Sequence, residues 1–246
     1  MKMLATDVDN TLTGDRTAYQ RLESLLATQR DVTVVYVTGR DKIQLFEIMD
    51  AECLRPADYP VCNVGTEIYE GPDYQRDEAW TRHIDRRWDL LAAHDVLKTI
   101  PYLFQQSHQF AFKLSYHLFH NAQVVIPEIH RRLDEVNIAH KVVYSSGTDL
   151  DVIPGRAGKG EAVDYLRKKL KISRQHVLVA GDSGNDLGLL SAHFLAVVVG
   201  NHKAELTSDA LPKEVYWARE LCAAGVLEGI EHFRFMSAPR KQKRLK

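Results

Sequence analysis

The chain has 246 residues, 26% of them charged and 45% hydrophobic, with a formal net charge of −1. A charge so close to zero builds no field to gather nucleic acid or an anionic membrane, and no apolar run approaches the roughly 18 residues of a membrane span, so neither partner is expected. The length suits one large domain or two modest ones, able to bury roughly 70 to 75% of the unfolded surface.

The first apolar run, 3–5, gives way to Asp7 and Asp9. Parallel strands buried on both faces read as short apolar runs, and open α/β sheets bind ligands just beyond the carboxyl ends of such strands. Two acids at that point need a shared proton or a cation to relieve their repulsion. Further β-rich runs at 32–37, 61–64, 177–180 and 195–199, with mostly helical patterns between them, predict a parallel sheet covered by helices. The middle of the chain departs from this pattern. Trp80, Ile84, Trp88 and Leu91 fall at helical spacing, which predicts one amphipathic helix over 80–95. From 110 to 118 the chain alternates, with Phe110, Phe112, Leu114, Tyr116 and Leu118 on one face and Ala111, Lys113, Ser115 and His117 on the other. That is the pattern of a half-covered strand. A helix over 124–136 follows, then strands at 141–144 and 150–153 joined as a hairpin by Ser145-Ser146-Gly147-Thr148-Asp149. The expected organisation is α/β: a discontinuous core of 1–78 and 155–246 with an inserted α+β cap of 79–154. Arg240, Lys241, Lys243, Arg244 and Lys246 predict a solvated basic tail. Cys53, Cys62 and Cys222 lie far apart and form no Cys-x-x-Cys pair. They read as reduced thiols, and with no signal-peptide pattern ahead of the first strand the expectation is a soluble cytoplasmic protein, taken as a monomer.

Strand ends on one edge of a parallel sheet converge, and three of them carry polar groups: Asp7 and Asp9, Thr38, and Asp182 with Asp186. In Gly181-Asp182-Ser183-Gly184-Asn185-Asp186 the glycine and serine suit a tight loop, and Leu187, Leu189 and Leu190 mark a helix that places Asp186 near its positive end. Four acids from two loops call for a cation, and hard oxygen donors with no His or Cys beside them point to Mg²⁺. Lys159, at the mouth of a helix through Val163, Leu166 and Leu170, presents an ammonium to an anion. A nucleotide P-loop is set aside, because position 153 is Ile where that loop has its first glycine and Gly160 replaces its Ser or Thr. These groups suit phosphoryl transfer to a carboxylate, with Asp7 as nucleophile and Asp9 as the acid that protonates the leaving oxygen and then activates water. Thr38 and Lys159 would hold the equatorial phosphate oxygens. Asn185 orients Lys159, contacts phosphate or caps its loop. Arg40 touches the substrate or pairs with a core acid, and Glu67 bonds a hydroxyl or forms a surface ion pair. Lys113, Ser115 and His117, with the turn at Ser145 and Ser146, offer hydrogen bonds to sugar hydroxyls or meet solvent. His117 and His120 read as core or surface histidines rather than metal ligands.

Taken in order, Asp-x-Asp-x-Thr at 7–11, Thr38, Lys159 and Gly-Asp-x-x-x-Asp at 181–186 resemble the haloacid dehalogenase superfamily of phosphatases. The resemblance implies a Rossmann-like core with a large α+β cap between the second and third motifs. It also implies Mg²⁺ held by the Asp7 side chain, the Asp9 backbone carbonyl and Asp182, with Asp186 in support. The segments DVDNTLTGD at 7–15, YVTGR at 36–40, NVGTEIY at 63–69, KLSYHL at 113–118, YSSGTDLD at 144–151, GDSGNDL at 181–187 and AGVLEGIEHF at 224–233 are similar to the bacterial sucrose-6-phosphate phosphatase family. That likeness implies a Mg²⁺-dependent, cytoplasmic phosphatase of sucrose biosynthesis, whose partners are the sugar phosphate and, transiently, a sucrose-phosphate synthase. Phosphatases of mannosylfructose phosphate share much of the pattern, so the disaccharide stays open. A catalytically idle sugar-phosphate-binding partner of a glycosyltransferase is the alternative from another class; such a module has no physical need to keep Asp7, Asp9, Lys159 and Asp182.

Overall fold

The computed structural model describes residues 1–236, and the basic residues from Arg240 to Lys246 lie outside them. In chain order the elements are β1 (Lys2–Thr6), α1 (Arg16–Leu26), β2 (Val32–Val37), α2 (Lys42–Ala51), β3 (Tyr59–Cys62), β4 (Glu67–Glu70) and β5 (Gln75–Arg76). There follow α3 (Glu78–Ile84), α4 (Leu90–Leu97), β6 (Leu103–Gln105), β7 (Leu114–Leu118), α5 (Ala122–Glu135), β8 (His140–Ser145) and β9 (Asp149–Pro154). The last described elements are α6 (Lys159–Lys169), β10 (Val177–Gly181), α7 (Leu187–Leu190), β11 (Leu195–Val198), β12 (Tyr216–Trp217) and α8 (Cys222–His232).

The central strand explains its own sequence. β1 pairs in parallel with β2 on one side and β10 on the other, so that Ala5 faces Val35 and Val179 across the ladders. Met3 and Ala5 enter one apolar layer with Val163 and Leu166 of α6, while Leu4 enters the other with Leu22 of α1 and Ile230 of α8. A strand covered on both faces has no polar side to show, hence the unbroken apolar run. The large sheet runs β12-β11-β10-β1-β2-β3-β4-β5. The pairs from β12 to β3 are parallel, and β4 and β5 close one edge as antiparallel strands. Strand order reverses between β1 and β10, which opens a crevice at their carboxyl ends. Asp15, Asp41, Asp77 and Asp89 each start a helix by accepting a backbone N–H three residues on.

A second sheet, ordered β6-β7-β9-β8, is antiparallel and carries α4 and α5 on one face. Leu114, Tyr116 and Leu118 point into that apolar layer with Ile129 and Leu133, as the alternation of β7 requires. The expected hairpin is present, turning through Ser146 (φ 55°) and Gly147 (φ 74°).

Three expected elements differ. The helix over 80–95 is two helices, broken where Arg87 takes φ 62°. Periodicity shows that a face is apolar but not which core it meets. Trp80 and Ile84 pack against the large sheet, Trp88 packs in the second cluster, and Leu91 is 75% exposed. The run over 61–64 leaves the sheet after Cys62, because Asn63 and Val64 adopt left-handed φ of 51° and 57°. The strand over 110–118 is confined to β7, since Phe110 and Lys113 exchange backbone bonds of 3.1 and 3.2 Å in a tight turn. We propose the core and cap division expected from the sequence, with α3 docked on the core through Trp80 and Ile84. Among the described residues no helix is long and apolar enough to cross a membrane.

Candidate active site

The crevice between β1 and β10 gathers the acids. Beyond β1 the Asp7 N–H still donates to Ala180 O at 2.9 Å, so its carboxylate is fixed by the sheet itself. Beyond β10 the Asp186 Oδ2 accepts the N–H groups of Asp182 (3.0 Å) and Ser183 (3.1 Å), which folds the loop tightly over the strand end. Lys159 arrives from the start of α6. Gly65, at φ 86°, abuts that start so closely that an added Cβ would lie 2.2 Å from the Gly158 carbonyl carbon. Only glycine gives the 63–66 turn this close approach.

Lys159 is the hub. Its ammonium, on a side chain 1% exposed, donates to Asp7 Oδ1 at 2.7 Å, Asp186 Oδ1 at 2.7 Å and Asn185 Oδ1 at 2.5 Å. Of the roles expected for Asn185, the geometry displays the grip on Lys159. Asp182 completes the cluster: Thr11 Oγ1 lies 3.5 Å from its Oδ1, and its buried Oδ2 has no partner among the described residues. One oxygen from each of Asp7, Asp182 and Asp186 falls within 4.8 Å of the others.

Charge accounts for the proton affinities here. Burial, with Asp186 and Asp182 adding, pushes the Asp7 carboxyl well above the usual range against the pull of Lys159. Burial and then Asp186 push Asp182 up to about 7. Burial lowers Lys159, but Asp186 and Asp7 more than offset it and keep the ammonium charged. Three buried carboxylates facing one ammonium leave excess negative charge, and the orphaned Asp182 Oδ2 points to what is needed. This all-oxygen donor set fits a hard divalent cation such as Mg²⁺.

Asp9 stands apart from the cluster, 39% exposed and clasped by Arg40 through Nε (2.8 Å) and Nη2 (2.7 Å). Arg40 therefore pairs with an acid, one of the two expectations for it. Thr38, fully buried after β2, accepts the Arg40 N–H at 3.1 Å and keeps its own hydroxyl hydrogen for another acceptor. A cavity of about 290 Å³ opens over these groups, lined among others by Asp7, Asp9, Arg40, Asp182, Asn185 and, from the cap, Ser146.

The polar face of the cap reaches the cavity through Gly39, one of its lining residues. Lys113 Nζ donates to Gly39 O at 3.1 Å, and Ser115 Oγ donates to Asp151 Oδ1 at 2.5 Å. Lys113 and Ser115 are buried, whereas His117 on the same face keeps a side chain 45% exposed beside Asp149. Ser145 is buried at the end of β8 and pairs across to Asp149. Glu67 lies elsewhere: its carboxylate accepts Asn63 Nδ2, the Tyr69 hydroxyl and Arg76, an ion pair on a side chain only 8% exposed. Sequence reading missed Asp151, Lys203 and Glu205. Asp151 sits opposite Ser115 by antiparallel register, and Lys203 lines the cavity from the segment after β11, a strand end that the convergence rule itself marks.

A parallel sheet with acids on the adjoining ends of β1 and β10, crossed by an α+β insertion, defines the haloacid dehalogenase-like fold. A family model described as sucrose-6F-phosphate phosphohydrolase matches residues 1–234, and the chain belongs to that family. It is similar in structure to the sucrose-phosphatase from Synechocystis sp. PCC6803, solved in complex with sucrose and phosphate, with 33% identity and a TM-score of 0.91 over 96% of this chain and 99% of that one. A probable sucrose-phosphatase 2 of Arabidopsis thaliana is 32% identical over 251 residues, covering 94% of this chain and 59% of that protein. The chain thus spans only part of the length of the plant relatives it matches. A mannosylfructose-phosphate phosphatase of Agrobacterium fabrum is 29% identical, covering 95% of this chain and 97% of that protein.

Proposed function

We propose that the protein is a Mg²⁺-dependent phosphatase that releases phosphate from sucrose 6-phosphate through an aspartyl-phosphate. The observation that carries this reading is the buried hub in which Lys159 joins Asp7 to Asp186 beside the unpartnered Asp182 Oδ2. Asp7, Asp182 and the Asp9 backbone carbonyl would hold the cation, with Asp186 in support, and when bound it neutralises charge on the phosphate and on the attacking carboxylate.

The chain's own groups divide the remaining work. Lys159 holds Asp7 Oδ1, which pulls against the burial that raises this carboxyl and leaves its second oxygen to approach phosphorus. Thr38 and Lys159 meet the equatorial oxygens as charge accumulates there. Released from Arg40, which bonds both its oxygens in this structure, and protonated, Asp9 gives its proton to the departing sugar oxygen and then takes one from the water that cleaves the aspartyl-phosphate. Lys113, Ser115 and Asp151 on the cap supply donors and acceptors for sugar hydroxyls, and the likeness to an enzyme solved with sucrose supports that assignment. On this reading the protein works as a cytoplasmic monomer, with transient contact to the synthase that supplies its substrate.

Purified protein with sucrose 6-phosphate and Mg²⁺ should release inorganic phosphate, and Asp7→Asn should not. Absence of release, or release undiminished in that variant, would sink the mechanism. Mannosylfructose phosphate is the second reading, supported by the Agrobacterium relative that the chain covers almost end to end. The same assay with both esters and with trehalose 6-phosphate decides between them.

A further inference from the structure

Glu205 bridges cap and core at the cavity rim. It lies in the segment after β11, fixed by the Lys203 N–H, which donates to Asp182 O at 2.7 Å, and by Leu206, which is buried in the core. One carboxylate oxygen, Oε1, accepts two backbone N–H groups from different parts of the molecule. Ser146 of the cap turn donates at 2.9 Å, and Gly184 of the loop carrying Asn185 and Asp186 donates at 3.1 Å. The strand leading into the turn rests on the same loop. A Cβ added to Gly184 would lie 2.6 Å from Tyr144 O and 3.1 Å from Glu205 Cγ, so the bare glycine lets cap and core close until one oxygen reaches both donors. Such bonds to a charged acceptor are stronger than neutral ones. Against the burial that raises it, the Ser146 and Gly184 N–H groups hold the Glu205 carboxyl below the usual range.

We propose that Glu205 is a positioning residue that latches the cap turn onto the loop of Asn185 and Asp186, so that the cavity wall at Ser146 and the cradle of Lys159 assemble together. The inference rests on reading the cap as a cover over a phosphate site. Among the described residues the other polar ties leave this end free: Lys113 holds Gly39 O, and Lys141 holds Ala157 O at 2.8 Å and pairs with Glu161, beside the covalent connection from β9 to α6. With the Glu205 bridge removed, the hairpin end can lift from the 184–186 loop, and substrate must restore the closed state from its own binding energy.

The test places spin labels on the exposed positions Val124 of the cap and Ile43 of the core, as Val124→Cys and Ile43→Cys with the exposed Cys53 changed to Ser. Double electron–electron resonance should show longer and broader distances in Glu205→Ala, and the wild-type distribution in Glu205→Gln, which keeps an acceptor oxygen. Loss of the two bonds should raise KM for the disaccharide phosphate about tenfold or more with a smaller change in kcat. Distances in Glu205→Ala that superimpose on wild type, or a loss confined to kcat with KM unchanged, overturn the latch. If Glu205→Ala does not fold, Glu205→Asp, whose carboxylate stops one methylene short, carries the same expectation. The distance measurement needs no turnover, so a protein that hydrolyses no sugar phosphate would sink the phosphatase reading without deciding this one.

Discussion

Replacing Lys159 by methionine keeps an unbranched side chain one atom shorter and removes the ammonium on which the site is built. In the folded protein that ammonium makes bonds of 2.7, 2.7 and 2.5 Å to Asp7, Asp186 and Asn185, and it is 1% exposed. Without it, Asp7 and Asp186 keep their burial and lose their counter-charge, and Asp182 stands within 4.8 Å of both. Breaking a buried pair by removing one partner costs about 3–5 kcal/mol, because the charge left behind is uncompensated. For a chain of this length about 1 kcal/mol shifts the melting temperature by roughly 2–4 °C, so Lys159→Met should melt about 6–20 °C below wild type in EDTA. Mg²⁺ should recover more of that loss than it adds to wild type, since a divalent cation meets three carboxylates with no ammonium competing. Phosphate release should fall to background even with Mg²⁺, because Asp7 loses the donor that holds its oxygen. Thermal unfolding by circular dichroism, with and without Mg²⁺, together with phosphate release reads all three. A variant that melts within a degree or two of wild type in EDTA and still turns over would refute the hub.

Asp7→Asn and Asp9→Asn should fail at different steps: quenched reactions examined by mass spectrometry should show no phosphoenzyme in the first, and slowed formation and hydrolysis of a phosphoenzyme in the second. Lys113→Ala and Ser115→Ala should raise KM for the sugar phosphate several-fold with little change in turnover of a small phosphate ester; equal losses on both substrates would remove the cap face from sugar recognition. The His130 and His140 rings share a 2.7 Å contact, and His140 Nδ1 bonds Ile138 O at 2.9 Å, so His130 packs against a second imidazole. Burial and then His140 lower the His130 pKa, so the unfolded chain takes up that proton first as pH falls. This stability contribution is complete above the unfolded value near 6.5 and is lost as pH drops through the lower folded one. Urea midpoints between about pH 7.5 and 5 should therefore fall less in His130→Gln than in wild type, and parallel curves would contradict the assignment.

Part of this was legible in the chain, because strand-end chemistry is local. A run such as Met3 to Ala5 must be covered on both faces to be stable, and the residue that follows it must then emerge at the crevice. That argument placed Asp7, Thr38, Asp182 and Asp186 without knowledge of any contact, and β1, β2, β10 and β11 begin and end within a residue or two of the runs that announced them. The alternation through Leu114, Tyr116 and Leu118 likewise fixed which side of β7 faces the cap helices.

The rest depended on partners distant in sequence. Trp80 and Trp88 share one helical period and enter two different cores, which no window on the sequence distinguishes. Arg40 closes on Asp9 and Glu67 on Arg76, and in each case the choice between an ion pair and a ligand contact was made by the strands that lie side by side, β1 with β2 and β4 with β5. Glu205 had no signal at all, since its role exists only where a cap turn and a core loop present their N–H groups to one oxygen. By itself the sequence determined the central parallel strands β1, β2, β10 and β11, the acids at their ends and the alternation of β7, because hydrophobic period and terminal chemistry are properties of short segments. Which acid meets a cation, which meets an arginine and how the cap rests on the core were decided by the tertiary structure, because Coulomb and hydrogen-bond energies depend on distances between groups far apart in the chain.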